Sequence, residues 1–506
     1  MAVVLTVTGG GCAFLAQDSQ PDPAAPSAGV TSRPSVSTDG RYVVYGANTD
    51  AAAPGVANGI YVLDLVTHAR QLVSVATDGT PGDGSSSDAV ISGDGRYVAF
   101  TSDSTTLVAN DTNGVTDVFV RDRSTNTTQR ISVTTAGVEV ADASYAPTIS
   151  TDGRYVAFTS DSDDLTTTDS NGMSDIFVRD RTSNTTTLVS VGAAGLQTDF
   201  GAWDPSISGN GQWIAFTTDT GLVSGDTNSV DDIYERDIVH NVTRRVSVPR
   251  TGGIVGGGDV AAVNSDGNVV AFQSDAVDLV SGTDTNNATD VFVRVMGSLT
   301  TLRVSSKADG STLVGSSTSP AISADGSRIA YRSTGNPTGT DANGVIPDVL
   351  VRDRTFNRTT LVSTTLLLGQ LASASDNPAL SGDGRYAFWT SAGAFTGDTN
   401  GVSDVFERFV DVPAPVSISP ASIARGSSAT VTMTGSDFLA GAVLWLPANV
   451  TAGAVTVTGD TSLSVKLTVG SGAATGAADI FVQIPGTGAG LNSGAMGKCA
   501  GCLTIK

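Results

Sequence analysis

Asp and Asn side chains recur at one fixed spacing along this chain, in the pattern D-x-N-G-x-x-D. The pattern is complete in DTNGVTD (111–117), DSNGMSD (169–175) and DTNGVSD (398–404). Two more copies keep the three side chains without the glycine, and one copy carries an inserted residue. Oxygen ligands at positions 1, 3 and 7, with a main-chain carbonyl at position 5, can surround a Ca²⁺ ion. A repeated calcium site is therefore one hypothesis for this chain.

The candidate metal ligands occur in six copies of the pattern. They are Asp111, Asn113, Asp117, Asp169, Asn171, Asp175, Asp226, Asn228, Asp232, Asp284, Asn286, Asp290, Asp341, Asn343, Asp348, Asp398, Asn400 and Asp404.

A turn that forms without a metal ion also explains why Asp, Asn and Gly occur in this pattern. Asn-Gly tolerates positive φ, and Asp or Asn side chains bond to main-chain N–H groups two residues further on. The pattern supplies only about four or five oxygens where Ca²⁺ prefers 6–8, and it lacks a bidentate Glu, so a calcium affinity on the order of 10⁻⁴–10⁻³ M is expected. The equivalent segment near the N-terminus has Gly59 in place of the last Asp and is predicted to lack a site.

The elements that carry these loops repeat with a regular period. DGRYVAF occurs at 94–100 and 152–158, and looser copies begin at five further positions, so that starts are 55–59 residues apart. Each unit shows an alternating strand, an Asp-Gly hairpin turn, a second strand, the acidic loop, a third strand such as DIFVRDR (175–181) and a fourth strand. Seven units of four antiparallel strands predict an all-β fold, a seven-bladed β-propeller over residues 31–411. The looser copies begin at Asp39, Asn210, Asp266, Asp325 and Asp383.

The N-terminal segment, residues 1–30, has two interpretations. The short apolar run that ends near Cys12 suits an export signal with a lipid anchor at Cys12, although it lacks a basic start. The seventh repeat shows no clear fourth strand, so residues 2–7 are alternatively a strand that closes the ring. An unfinished last blade would also allow self-assembly by strand exchange between subunits.

The C-terminal segment changes character after the Pro-containing stretch DVPAPVS. Residues 412–506 contain several short alternating strands, which predict a small immunoglobulin-like β-sandwich. Cys499 and Cys502 form C-A-G-C, and we interpret them as a local disulfide of an oxidising compartment.

Composition limits the function. The 506 residues carry a net charge of −22, which argues against nucleic acids and anionic membranes as partners. No apolar run is long enough for a spanning helix.

A Ser hydrolase needs a nucleophile elbow and a His base, but His68 and His240 fall in predicted turns. We therefore predict a non-enzymatic binding or scaffold protein; the alternative is a glycan-active hydrolase or lyase that uses paired carboxylates.

Two segments resemble known families. ISGDGRYVAFTSD (91–103) and DTNGVTDVFVRDR (111–123) resemble the PD40, or TolB-like, bacterial propeller repeats, a WD40-like type, and the resemblance extends over residues 33–410. VSISPASIARGSSATVTMTGSDF (416–438) resembles IPT/TIG immunoglobulin-like domains. The resemblance implies a propeller, export to the periplasm, cell surface or medium, and binding of a protein or glycan; it implies no particular activity.

Overall fold

The structure, a computed structural model, is built almost entirely from β-strands. The described residues include a 3₁₀ turn at Asp163–Leu165, and no helix among them is long and apolar enough to cross a membrane. The described residues are 30, 32–48, 58–192, 195–250, 257–281, 284, 286–307, 310–335, 343–355, 357–363, 373–392, 403–410, 415–435, 437–438, 441–459, 461–484 and 496–506.

Consecutive strands pair antiparallel in chain order, so each repeat forms one meandering sheet. Blades 1 to 4 each contain four strands. Their strands are β1 (Ser35–Val36), β2 (Tyr42–Asn48), β3 (Asn58–Asp64), β4 (Ala69–Leu72), β5 (Ser86–Ile91), β6 (Tyr97–Ser102), β7 (Asp117–Asp122), β8 (Thr127–Arg130), β9 (Ser144–Ile149), β10 (Tyr155–Ser160), β11 (Asp175–Asp180), β12 (Thr185–Leu188), β13 (Trp203–Ile207), β14 (Trp213–Thr218), β15 (Asp232–Asp237) and β16 (Val242–Arg245).

Blades 5 and 6 also contain four strands, and blade 7 contains three among the described residues. Their strands are β17 (Asp259–Val263), β18 (Val269–Ser274), β19 (Asp290–Val295), β20 (Thr300–Arg303), β21 (Ser317–Ile322), β22 (Arg328–Ser333), β23 (Asp348–Asp353), β24 (Arg358–Leu361), β25 (Ser375–Leu380), β26 (Tyr386–Ser391) and β27 (Asp404–Phe409).

The seven blades close into a ring through the turns between their first and second strands. Each turn is joined to the next by a main-chain hydrogen bond, and the turn of blade 7 returns to that of blade 1. First strands of adjacent blades also contact one another, which places them around the centre. The seven-bladed propeller is thereby confirmed. The bonds are Thr38 N to Gly93 O, Gly93 N to Thr151 O, Thr151 N to Gly209 O, Asn210 N to Ser265 O, Ser265 N to Ala324 O, Ala324 N to Gly382 O and Asp383 N to Thr38 O, at 2.7–3.3 Å.

The core lies between blades rather than within one sheet. V-A-F of the second strand and V-F-V of the third alternate their side chains, so each sheet offers one apolar face to each neighbour. Inside a blade the two Phe rings stack across the strands, with centroids 6.1 Å apart for Phe158 and Phe177. These rings pack against Val118 and Val120 of the preceding blade. No blade can bury both of its faces alone, which makes the ring necessary for stability.

The Asp-Gly turns also lock each blade onto the one before it. Gly153 has φ +70°, and a Cβ there would lie 2.2 Å from the Tyr97 ring of blade 2. The Tyr97 ring is flanked by the guanidinium groups of Arg96 at 4.6 Å and Arg181 at 4.3 Å. Glycine is therefore required here both by the backbone conformation and by the close approach of a neighbouring blade.

The C-terminal unit is a β-sandwich of two sheets. One sheet contains β28, β30, β34 and β32 in that order, with β33 also paired to β34, and the other contains β29, β36, β35 and β31. Their apolar side chains, including Val431 and Leu467 from one sheet and Ile480 and Leu503 from the other, are buried. The strands are β28 (Ser417–Ser419), β29 (Ser422–Ile423), β30 (Ser428–Thr434), β31 (Val443–Trp445), β32 (Val450–Ala452), β33 (Thr456–Gly459), β34 (Ser462–Val469), β35 (Gly476–Gln483) and β36 (Met496–Ile505).

The chain divides into two compact units, and the boundary between them along the described chain falls between Glu407 and Arg408. The domain limits drawn from the sequence and the IPT/TIG assignment remain predictions. Residues 2–7 and Cys12, on which the closing strand and the lipid anchor depend, lie outside the described residues, so both ideas also remain predictions.

Replacing Gly153 by Ala tests the close contact between blades. Gly137 is the matched control, because its φ is +78° but no atom lies within 4 Å of a Cβ placed there. We expect Gly137→Ala to cost about 1–2 kcal/mol from the left-handed backbone alone. Gly153→Ala should cost a further ~1–3 kcal/mol from overpacking against Tyr97. Urea unfolding of both variants measures the difference, and equal losses would contradict the proposed packing role.

Candidate functional site

The last Asp of the repeated pattern begins the third strand and is buried. In blade 2, Asp117 Oδ1 accepts a hydrogen bond from Ser132 Oγ, two residues after the end of the fourth strand, at 2.5 Å. Ser132 Oγ accepts the main-chain N–H of Val118 at 3.1 Å. The carboxylate therefore ties the start of the third strand to the fourth strand. The same contact recurs as Asp175–Ser190, Asp232–Ser247, Asp290–Ser305 and Asp348–Ser363.

The Asn of the pattern orders the turn. Asn171 Oδ1 accepts the N–H of Met173 at 3.1 Å, while Asn171 Nδ2 donates to Asp175 Oδ2 at 2.6 Å and to the Thr198 carbonyl at 3.0 Å. The main-chain partners on both sides fix the orientation of the amide. The Asn oxygen thus serves the turn, and the amide nitrogen faces the carboxylate. The same Oδ1 contact is made by Asn113, Asn228 and Asn286.

An arginine of the fourth strand lies between the first and last Asp of the pattern in blade 2. Arg130 Nη1 is 3.5 Å from Asp111 Oδ1 and 3.1 Å from Asp117 Oδ2, and it also contacts Glu139 Oε1. Arg130 Nη2 donates to the Asn110 carbonyl at 2.9 Å. Asp111, Asp117 and Glu139 are close enough together to hold a metal ion, but in this blade a guanidinium lies among them.

Blades 4 and 5 use the same arrangement. Arg245 is 3.2 Å from Asp226 and 2.7 Å from Asp232. Arg303 is 3.8 Å from Asp284 and 3.4 Å from Asp290. Burial raises the pKa of Asp232 and Asp290 to about 6, although hydrogen bonds from their serines and the arginine charges act in the opposite direction. The guanidinium thus offsets part of the cost of burying two carboxylates.

Blade 3 has the two carboxylates without the arginine. Leu188 pairs with Phe177 as Arg130 pairs with Phe119, so it occupies the equivalent position. Asp169 Oδ1 accepts a hydrogen bond from Gln197 Nε2 at 2.9 Å, and Asp169 Oδ2 is buried without a hydrogen-bond partner. Burial, with a smaller contribution from the charge of Asp169, raises the pKa of Asp175 to about 6, although hydrogen bonds from Ser190 and Asn171 act in the opposite direction. Burial also raises the pKa of Asp169, with a smaller contribution from Asp163.

Blades 1, 6 and 7 differ from blades 2 to 5 in the residues at these loop and fourth-strand positions. In blade 1, Gly59 leaves no carboxylate at the start of β3, as predicted from the sequence. In blade 6, Asp348 is buried and Leu361 takes the place of the arginine. In blade 7, Asp404 is buried at the start of β27. Asp341, Asp398 and Asn400 lie outside the described residues, and the proposed ligand sets of these two blades stay predictions.

The R-D-R segment after V-F-V is structural. Asp122 receives two hydrogen bonds from Arg96 of its own blade, at 2.9 and 2.7 Å. Arg121 reaches the Ala76 carbonyl of the loop that precedes blade 2, and the Arg123 guanidinium stacks 4.7 Å above the Tyr42 ring of blade 1. The segment therefore fixes neighbouring blades together.

The arginine was missed from the sequence because it lies outside the acidic pattern. It follows the last Asp by 13 residues, as Arg130 follows Asp117. The same spacing gives Arg245 and Arg303 in blades 4 and 5, and Leu188 and Leu361 in blades 3 and 6. The signal was present in the sequence, but only an alignment of the repeats with the register of the fourth strand reveals it.

Glu235 replaces the valine that occupies the equivalent position in blades 2, 3 and 5, and Glu407 occupies it in blade 7. It is fully buried, and its Oε2 accepts a hydrogen bond from Arg244 Nε at 2.9 Å. Burial raises the pKa of Glu235 to about 7, and Arg244 only partly offsets this effect because its side chain is 31% exposed. A group enclosed in this way has no access to a glycan substrate.

Cys499, Cys502 and the two histidines occupy structural positions. Cys499 is buried and Cys502 is half-buried in β36, and both are free thiols. Burial, together with a hydrogen bond between the two thiols, raises the pKa of Cys502 to about 12. The disulfide therefore stays a prediction. His68 and His240 lie in turns between third and fourth strands, where His240 Nδ1 is 2.7 Å from Asp237.

Comparisons with known proteins give weak similarities. No family model and no curated protein matches the chain. Similar solved structures include TolB from Acinetobacter baumannii, with 14% identity, 64% of this chain and 63% of that chain covered, and a TM-score of 0.36. A putative TolB from Agrobacterium tumefaciens has 15% identity, with 70% of this chain and 98% of that chain covered and a TM-score of 0.37. The tricorn protease has 13% identity, with 70% of this chain and 32% of that chain covered and a TM-score of 0.25. The chain spans less than two thirds of the first and third of these proteins. Similarities at this level carry no argument about function.

Arg130→Leu should destabilise the propeller strongly. The change leaves Asp111, Asp117 and Glu139 without their shared cation, and removing one partner of a buried ion pair costs about 3–5 kcal/mol. Gln129→Leu, at the exposed adjacent position of the same strand, is the control and should change the free energy of unfolding by less than about 0.5 kcal/mol. Urea unfolding measures both; similar values for the two variants would show that the guanidinium is not needed.

Glu235→Gln should change the pH dependence of stability. Because the folded pKa of Glu235 is raised above its unfolded value, its contribution is fully present below the unfolded pKa and is lost as pH rises through about 7. The free energy of unfolding of the wild type should therefore fall relative to the variant by about 1–3 kcal/mol between pH 5 and pH 8. Urea unfolding at four pH values tests this, and a constant difference would refute it.

Proposed function

We propose that this protein is an exported, non-enzymatic binding scaffold that presents one loop face of the propeller to a polypeptide partner. The observation that carries the proposal is a set of exposed apolar side chains in the loops of that face. The proposal is also consistent with the positions of the acidic groups, which serve turns, strand junctions and contacts between blades.

One face of the ring differs from the other in its connections. Because the strands are antiparallel, the long loops between second and third strands leave from the same face as the connections to the next blade. The opposite face carries the main-chain belt and the short turns between third and fourth strands. We call the first of these the loop face.

Apolar side chains are exposed mainly on the loop face. In blade 3 and its connection to blade 4, Phe200 is 69% exposed, Leu196 52% and Met173 41%. The two loops are in contact, since Ala202 N donates to Ser174 O at 2.7 Å. An exposed group of large apolar side chains marks a surface that is used for binding. Val138, Val230, Val277, Val314 and Val345 are also exposed in loops of this face.

Charge indicates the chemistry of the partner. Asp161, Asp164 and Asp199 are exposed in the same loops of blade 3, and the whole chain carries a net charge of −22. A polypeptide that combines apolar side chains with Lys or Arg would satisfy both the apolar surface and its acidic border. Calcium enters this proposal only as a structural ion, in loops that lack the arginine of the fourth strand.

Selection from a peptide library displayed on phage tests the binding surface. We expect enrichment of peptides that contain aromatic or aliphatic residues together with Lys or Arg. Phe200→Ser combined with Leu196→Ser should weaken their binding at least 10-fold, because truncation of an interface anchor costs about 2 kcal/mol or more. Val239→Ser, at a 63% exposed position on the opposite face, is the matched control and should bind as the wild type does.

Three outcomes would contradict the proposed surface. They are a library without enrichment, peptides that bind the loop-face double variant as well as the wild type, and a glycan array that gives saturable binding where the peptide library gives none.

A further inference from the structure

The blades neutralise the same pair of buried carboxylates in different ways. Blades 2, 4 and 5 place a guanidinium between the first and last Asp of the loop, through Arg130, Arg245 and Arg303. Blade 3 keeps both carboxylates but has Leu188 at this position. Three equivalent sites in one molecule thus show that the space between these carboxylates receives a cation.

The oxygens around the guanidinium of blade 2 define the environment of that cation. They are Asp111 Oδ1, Asp117 Oδ2, Glu139 Oε1 and the Asn110 carbonyl. The residue that follows Asn110 is the first Asp of the pattern, so the carbonyl is part of the same loop.

Blade 3 retains most of this oxygen set. Asp169 and Asp175 replace the two Asp residues, and Thr168 precedes Asp169 as Asn110 precedes Asp111. Gln197 replaces Glu139 and turns its Nε2 toward Asp169 Oδ1 at 2.9 Å. Asp163, where blade 2 has a threonine, adds a further carboxylate to the loop, and its Oδ1 accepts the N–H of Gly172 at 3.1 Å.

Two carboxylate oxygens of blade 3 have unused acceptor capacity. Asp169 is only 7% exposed, and its Oδ2 is buried without a hydrogen-bond partner, as is Asp111 Oδ2 in blade 2. Asp175 Oδ2 accepts a hydrogen bond from Asn171 Nδ2. Its counterpart Asp117 Oδ2 accepts from Asn113 Nδ2 and also from Arg130 Nη1. The second lone pair of Asp175 Oδ2 is therefore available at the place where blade 2 holds its cation.

We propose that the loop of blade 3 binds one Ca²⁺ ion between Asp169 and Asp175, at the place where blades 2, 4 and 5 hold an arginine guanidinium. Carboxylate and carbonyl oxygens are the ligands that Ca²⁺ prefers, and irregular sets completed by water are common for this ion. Mg²⁺ demands a near-ideal octahedron and dehydrates reluctantly, so it suits this loop poorly. The inference stands independently of the proposed partner of the loop face.

Calcium titration of the full chain tests the site after treatment with EGTA. Isothermal titration calorimetry and equilibrium dialysis with ⁴⁵Ca²⁺ should give a Kd on the order of 10⁻⁴–10⁻³ M, since few charged ligands and no bidentate Glu are present. The thermal midpoint should rise with Ca²⁺, because a tenfold excess over Kd multiplies the folding constant by about 11. MgCl₂ at equal ionic strength should produce a smaller rise.

Two variants locate the ion. Leu188→Arg introduces the arginine of the other blades and should remove one Ca²⁺ site per chain while the fold is kept. Thr187→Arg adds the same charge at the exposed neighbouring position and should leave calcium binding unchanged. Asp169→Asn removes one ligand charge and should weaken the site at least 10-fold, whereas Asp164→Asn, exposed in the same loop, should not.

Several results would overturn the proposal. One is a folded wild type that binds no Ca²⁺ at 10 mM. Another is a calcium stoichiometry that neither Leu188→Arg nor Asp169→Asn reduces. A third is an equal response to Mg²⁺ and Ca²⁺, which would indicate a general effect of ionic strength. If Leu188→Arg fails to fold, the comparison of Asp169→Asn with Asp164→Asn decides the question.

Discussion

A buried carboxylate at the start of the third strand is the constraint on which six of the seven blades depend. It holds the third strand to the fourth through a serine hydroxyl, and it orients the Asn that turns the preceding loop. Its desolvation must be offset, because an isolated buried charge is costly. A serine donor provides part of the compensation in blades 2 to 6, an Asn donor adds to it in blades 2 and 3, and a fourth-strand arginine provides more in blades 2, 4 and 5. The conformation of the loop, the pairing of the third and fourth strands and the charge balance of the site therefore all depend on the same carboxylate.

A second set of contacts joins each blade of the ring to its neighbours. Its turns are joined by main-chain hydrogen bonds, the glycine of each complete Asp-Gly turn packs against the preceding blade, and R-D-R side chains extend to that same blade. These contacts all lie at one end or along the shared faces of the blades. Most of the exposed large apolar side chains among the described residues of the propeller lie in the loops of the opposite face. Rigid blades with variable loops are the usual arrangement of a binding scaffold.

The fold was largely predictable, because Asp-Gly turns, alternating strands and a period near 58 residues are local signals that repeat. Gly59 correctly marked a blade without a carboxylate. The candidate site was harder to predict. The acidic loop by itself does not show which cation, if any, lies in it, because the deciding residue is on another strand. Glu139 and Arg130 become neighbours of Asp111 only through strand register and the connection to the next blade. Strand β36 was missed because C-A-G-C was interpreted only as a disulfide.

A repeated acidic motif does not imply a repeated ion. Gly59 replaces the last Asp of the loop in blade 1, and the fourth-strand position beside the loop holds an arginine in blades 2, 4 and 5 and a leucine in blade 3. The charge of the site therefore differs between blades while the strand pairing stays the same. A guanidinium supplies one positive charge and several directed hydrogen bonds, and it is present whenever the chain folds. A metal ion supplies two charges but depends on its concentration. On the proposed calcium site of blade 3, exchanging one cation for the other at a single fourth-strand position would change one blade from autonomous to ion-dependent without altering the ring.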